Sequence, residues 1–197
     1  MGIFRSASRR ASATLAAVGM LAGCGGGSRP TDTPPAVTPV RTLALGQTWV
    51  LESSALPPAD TTDTLIAGQA RHILLRAPAP DNTTLADVYF GETAFRAPPG
   101  TRIPVALHPR PGVYGVDIST ATPLADGGSI TFKYAMHFSA PAGALQQYGT
   151  PRQVEGALAI GLIAGDQITL LATRRPAADN LEADFTTAGS YVVAGPR

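Results

Sequence analysis

Between Ser129 and Ser139 polar and apolar residues alternate without a break. Ile130, Phe132, Tyr134, Met136 and Phe138 fall on one side; Thr131, Lys133, Ala135, His137 and Ser139 fall on the other. Period two over such a length predicts a β-strand with one buried face, because successive side chains on an extended chain point to opposite sides. A strand of this kind needs a second layer to cover its apolar face, so the rest of the chain must supply one.

The surrounding sequence has the material for it. "RIPVALH" repeats the pattern with Ile103, Val105 and Leu107, and Pro104 predicts a strand start or an edge. "QTWVLES", "RHILLRA", "GVYGVDIS", "DQITLLAT", "EADFT" and "SYVVAG" are further strand candidates, and "ADVYFGETAFRA" reads as a hairpin about Gly91-Glu92. Turn signals recur about every ten residues between them, a spacing expected of an all-β sandwich. One segment competes. Thr150-Pro151-Arg152-Gln153 has a helix cap, a proline at the first helical position and a capping-box glutamine. Val154, Ala157, Leu158, Gly161 and Leu162 follow at helical spacing, predicting one short helix over 151–163. A strand through "ALAIGLI" is the competing reading.

"PGVYGVDIS" and "AGSYVVAG" share Gly-x-Tyr-x-Val. This resembles the closing strand of many extracellular β-sandwich modules of the broad immunoglobulin-like class, and the resemblance implies an antiparallel sandwich. The echo leaves two arrangements open: one ectodomain over 41–197, or two small β modules split near 120–128. The second half offers few strands, which favours one domain.

The amino-terminal forty residues are of another kind. "MGIFRSASRR" carries three arginines and no acid, and "ASATLAAVGMLA" is uncharged and apolar, the layout of a secretory signal peptide. The apolar run is shorter than the roughly 20 residues a membrane span needs. Leu21-Ala22-Gly23-Cys24 follows and resembles the lipobox of bacterial lipoproteins: an aliphatic residue, two small residues and the cysteine. The resemblance covers residues 1–24. It implies signal-peptidase recognition through Leu21, Ala22 and Gly23, cleavage before Cys24, and lipidation (a palmitate-type acyl anchor) at Cys24. Cys24 is the chain's single cysteine, so no internal disulfide is available. Residues 24–40, with "GGGSRPTDTPPAVTPV", have no apolar periodicity and read as a tether, on the order of 50 Å if fully extended. Gly25 rather than aspartate follows the cysteine; by the same resemblance this points to the outer membrane of a bacterial cell envelope, with the domain in the periplasm or at the surface.

Chemistry is sparse. A net charge of +1 and a single lysine, Lys133, argue against nucleic acid as a partner. His72, His108 and His137 lack metal-ligand spacing, so neither a metal nor a cofactor is expected. "PPADTTDT" sets Asp60 and Asp63 in an expected loop, and Asp179-Asn180 in another, where aspartate ordinarily caps its own backbone. Trp49, Tyr89 and Tyr114 offer rings for sugar stacking, though core positions fit them better. His137-Phe138-Ser139 resembles the tripeptide at which nucleoporin-type autoproteases cut themselves, which would place cleavage between Phe138 and Ser139. A strand end explains the same residues. The expectation is a non-catalytic, lipid-anchored envelope protein whose sandwich binds an envelope component or ligand. The alternative is an enzyme or self-processing protein.

Overall fold

The computed structural model describes residues 37–134 and 140–197. The leader, the Leu21–Cys24 box and the Phe138–Ser139 bond lie outside the described residues, as do Met136 and His137.

The chain begins with β1 (Arg41–Ala44), a 3-10 turn (Leu45–Gln47) and β2 (Thr48–Val50). Then come β3 (Thr61–Ile66), β4 (Arg71–Arg76), β5 (Thr84–Phe90), β6 (Arg102–Pro109), β7 (Gly115–Thr120) and β8 (Gly128–Lys133). Two short helices follow, α1 (Ala142–Tyr148) and α2 (Pro151–Ala157). The last strands are β9 (Ala159–Ala164), β10 (Gln167–Leu170), β11 (Thr173–Arg174), β12 (Asn180–Phe185) and β13 (Gly189–Pro196).

Every strand pair is antiparallel. One sheet runs β1-β10-β9-β13-β7-β6-β3, with β2 also on β13; the other runs β11-β12-β8-β5-β4. The protein is an antiparallel β-sandwich. Alternation does the work of assembly. On β8, Ile130 and Phe132 are fully buried and Thr131 and Lys133 point away, and Tyr134 just beyond the strand is buried in phase. Ile103, Val105 and Leu107 of β6 meet them from the facing sheet in one core with Val88, Phe90, Leu181 and Tyr191. Side chains of this size each contribute about 1.5–3 kcal/mol when removed from water. Thr173 is one of the few buried polar residues and is satisfied. Its Oγ1 donates to the Leu171 carbonyl at 3.0 Å and accepts from the Ile160 N–H at 3.0 Å, tying β11 of one sheet to β9 of the other.

A second apolar cluster lies apart from this core. Ala159, Ile168, Leu170, Val192 and Ala194 pack with Leu43, Leu45 and Val50. β1 pairs with β10, β2 pairs with β13, and the 3-10 turn joins them, so the segment arches from one side of the sheet to the other. Gly161 sits beneath: a Cβ there would come 2.5 Å from Ile168 Cδ1, so the absent side chain makes room for Ile168 and Leu170.

Several expectations need correction. The helix at 151 ends at Ala157, and 159–164 is β9, because that segment finds partners on both sides, β10 and β13. A second helix, α1, precedes it. "ADVYFGETAFRA" is not a hairpin: β5 already has β4 and β8 on its two edges, so the chain turns after Phe90 and Phe95 bridges Leu124 instead. Asp63 lies in β3, not a loop; β3 is an edge strand in which only Leu65 is buried, so its sequence is polar. Pro104 is neither at a strand start nor on an edge strand: β6 begins at Arg102 and lies between β3 and β7, and the proline falls just before the β6–β7 ladder opens at Val105↔Thr120. Thr38, assigned to the tether, already bridges Thr173.

Candidate functional site

Loops converge at the end of the sandwich where β8 finishes. The segment after β2 is held there by backbone bonds. Ser53 N–H donates to Gly112 O at 3.0 Å, and Tyr114 N–H donates to Leu51 O at 3.0 Å. Beyond it Ala55, Leu56, Pro57 and Pro58 form an apolar wall. The β4–β5 connection forms the opposite side through Ala77, Thr83 and Thr84; Ala77 N–H donates to Thr83 O at 2.8 Å, and Asn82 takes the left-handed conformation (φ 54°) that the tight turn requires. The β6–β7 turn, with Gly112 at φ 77°, brings Arg110 and Val113. Lys133 arrives on the last residue of β8, paired in register with Asn180, and Asp179 comes from the loop before β12.

These segments enclose a cleft of about 170 Å³ whose lining is mostly apolar. Its charged groups are few. Arg110 Nη1 reaches Asp117 at 3.4 Å, long for a charge-assisted bond, and makes no other side-chain hydrogen bond among the described residues. Lys133, the only lysine in the chain, makes no ion pair among the described residues. An apolar cleft with a small number of convergent polar groups is the usual form of a small-molecule site.

The outer face of the five-stranded sheet offers a contrast. Register places Arg174, Glu182, Thr131 and Asp87 in one row, and Asp184, Ser129, Tyr89 and His72 in the next. The small residues of β8 make the floor of a shallow trough of about 530 Å³. Its lining is acidic on balance, with Asp87, Asp126, Glu182 and Asp184 against Arg174 and His72, and most of these groups are engaged with one another. Arg174 is held by Glu182 and by Asp184 at 3.0 Å, and both carboxylates keep the guanidinium protonated. His72 Nδ1 lies 2.9 Å from Asp87, with its ring against Tyr89 at 4.6 Å. The trough is open and most of its charges are paired; the cleft is sheltered and carries a cation, Lys133, with no ion pair among the described residues.

The residues singled out from sequence are scattered. His108 pairs with Asp60 at 3.0 Å, and Asp63 accepts two bonds from Arg71 at 3.0 and 3.1 Å. Among the described residues no group of three or more His, Cys, Asp or Glu side chains could hold a metal ion. Of the three aromatic candidates only Tyr114 is core; its hydroxyl donates to the Tyr134 carbonyl at 2.9 Å. Trp49 is half-buried, with Arg197 4.1 Å over its ring and Nε1 donating to Gln147 Oε1 at 3.1 Å. Tyr89 is half-buried in the trough. Sequence reasoning missed the cleft, because its lining comes from five separate connections. The signal that was available was the solitary lysine at the end of the strongest strand. No family model, curated protein or solved structure matches the chain.

Proposed function

We propose that the protein is a lipid-anchored cell-envelope lipoprotein whose β-sandwich acts by binding, with the end cleft as its ligand site, rather than by catalysing a reaction. The observation that carries the binding half is that cleft: apolar walls from three connections, with Lys133 making no ion pair among the described residues at its margin. The anchoring half rests on Leu21-Ala22-Gly23-Cys24 behind a basic, apolar leader. The two halves fit together. Acylation at Cys24 holds the domain at a bilayer, each buried CH₂ contributing about 0.8 kcal/mol, and the Gly- and Pro-rich stretch that follows gives the domain reach. Among the described residues no helix is long and apolar enough to cross a membrane. The outer membrane is the proposed location, from Gly25 after the cysteine.

The anchor is tested by expressing the full chain in a bacterial host with labelled palmitate. Label should enter the wild type and be absent from Cys24→Ser, and the wild type alone should partition with detergent. A wild type that carries no label and starts at a residue other than Cys24 refutes the anchor.

A further inference from the structure

We infer that the end cleft takes a small organic anion: a monocarboxylate with an apolar body of about six carbons, alkyl or aryl. This rests on the reading of the cleft as the binding site and adds the chemical class of what it holds.

Size sets the first limit. An apolar cavity of about 150 Å³ is filled by a benzene molecule. The cleft, at about 170 Å³, therefore takes roughly six carbon atoms. A phospholipid acyl chain is too long to be contained, and a peptide strand too wide.

Charge sets the second. Among the described residues the lining carries two cations, Lys133 and Arg110, and one acid, Asp179. Arg110 is only loosely engaged, through one nitrogen, with Asp117 outside the cleft. No ion pair joins Lys133 to Asp179. The balance is positive, and the uncommitted cation stands next to surface that prefers to be dry. A neutral apolar guest would satisfy the walls and leave Lys133 to water. A cationic guest would meet two like charges. A carboxylate meets Lys133 directly and gains strength from the sheltered, low-dielectric wall beside it. Leu56, 71 % exposed at the mouth, is the apolar side chain that such a guest would cover.

A single lysine makes the site observable. Reductive methylation with ¹³C-formaldehyde retains its charge and gives one side-chain signal from the whole chain, apart from any free α-amine, which resolves separately. The full-length protein, methylated and then placed in phosphatidylcholine nanodiscs, is titrated with hexanoate and, in parallel, with hexanol. The expected result is a saturable shift of the Lys133 signal with hexanoate, at an affinity about tenfold or more above that of hexanol. By calorimetry on unmethylated protein, Lys133→Gln should bring hexanoate down to the level of hexanol. Leu56→Asn, at a side chain too exposed to matter to the core, should weaken both guests. Equal binding of hexanoate and hexanol would overturn the anion class while leaving the cleft as a binding site. Absence of binding by either would remove the class and the cleft reading together.

Discussion

Tyr134 and Tyr191 are buried phenols that must stay protonated. The Tyr191 hydroxyl donates to the Thr187 carbonyl, and the Tyr134 hydroxyl donates to the Ala178 carbonyl at 3.3 Å. Burial raises both above the ordinary tyrosine value; at Tyr134 the nearby Arg175 opposes the shift, while Glu155 and Asp179 add to it. The sign of the consequence follows. Below a pH of about 10 the phenols are protonated whether the chain is folded or not, and their full contribution is present. Above it the unfolded chain loses protons that the native phenols keep, so stability falls as pH rises towards the native values. Urea unfolding at pH 8 and again at pH 10.5 should therefore show a marked alkaline loss. Tyr191→Phe should cost about 1–2 kcal/mol at pH 8, where the Thr187 carbonyl loses its donor, and should show a smaller alkaline loss than the wild type. An unchanged pH dependence would mean that Tyr191 ionises in place. No pattern in the sequence announces these protonation states. The alternation around Tyr134 and the Gly-x-Tyr-x-Val around Tyr191 announce burial, and burial then does the rest.

Helix α1 is held by one close approach, between Gly143 and Trp49. A Cβ on Gly143 would lie 2.1 Å from Trp49 Cη2, and the indole cannot simply swing aside because Arg197 stacks over it at 4.1 Å. The Trp49–Gln147 bond and the Tyr148 hydroxyl on Pro196 O, at 2.7 Å, complete the dock. Ala144, the helix's buried residue, belongs to neither apolar core. Gly143→Val should therefore release α1 and leave the sandwich standing. Emission from Trp49, the only tryptophan, should move to the red while the β-type far-UV spectrum changes little. An unshifted emission maximum would show that the helix tolerates the added bulk.

The same scale shows where sequence was legible. β6, β8 and β12 carry their partners' geometry in their own alternation, and β4, though an edge strand, shows itself by its apolar run Ile73-Leu74-Leu75. Leu158 to Ile163 was not decided by its residues: helical spacing and strand composition coexist there. The choice fell to pairing with β10 and β13, and Arg175 closes the end of α2 by donating to the Glu155 and Leu158 carbonyls. β3 and β1 leave no pattern in the sequence because these two edge strands bury at most one residue each. The cleft escaped for a related reason: connections carry no period, and only the fold brings them together.

At the scale of the molecule the question is whether the halves on either side of 120–128 are separate modules. The ladders argue against a cut. β8 lies between β5 and β12, so the middle of one sheet joins residues from both halves. In the other sheet β13 pairs with β2 and β7 from the first half and β9 from the second. Leu51 N–H donates to Val193 O, and Val193 N–H donates to Tyr114 O, weaving three distant segments. The two Gly-x-Tyr-x-Val segments are thus adjacent strands of one sheet, Gly189↔Ile118 through Val192↔Gly115, each placing its tyrosine in a shared core. A chain cut at 120 would leave β5 and β7 with open edges and would uncover Val88, Phe90 and Ile118. A chain starting at 128 would do the same to β8 and β13. Neither half has the apolar area or the paired backbone to offset the entropy of ordering it. Residues 37–197 should therefore unfold in urea as one unit. Trp49 emission and far-UV ellipticity should trace the same curve, because the segment around Trp49 is bonded into β13 at the opposite end of the chain. Fragments 37–120 and 128–197 should each give the spectrum of an unfolded chain. A cooperative transition in either fragment alone would restore the two-module arrangement.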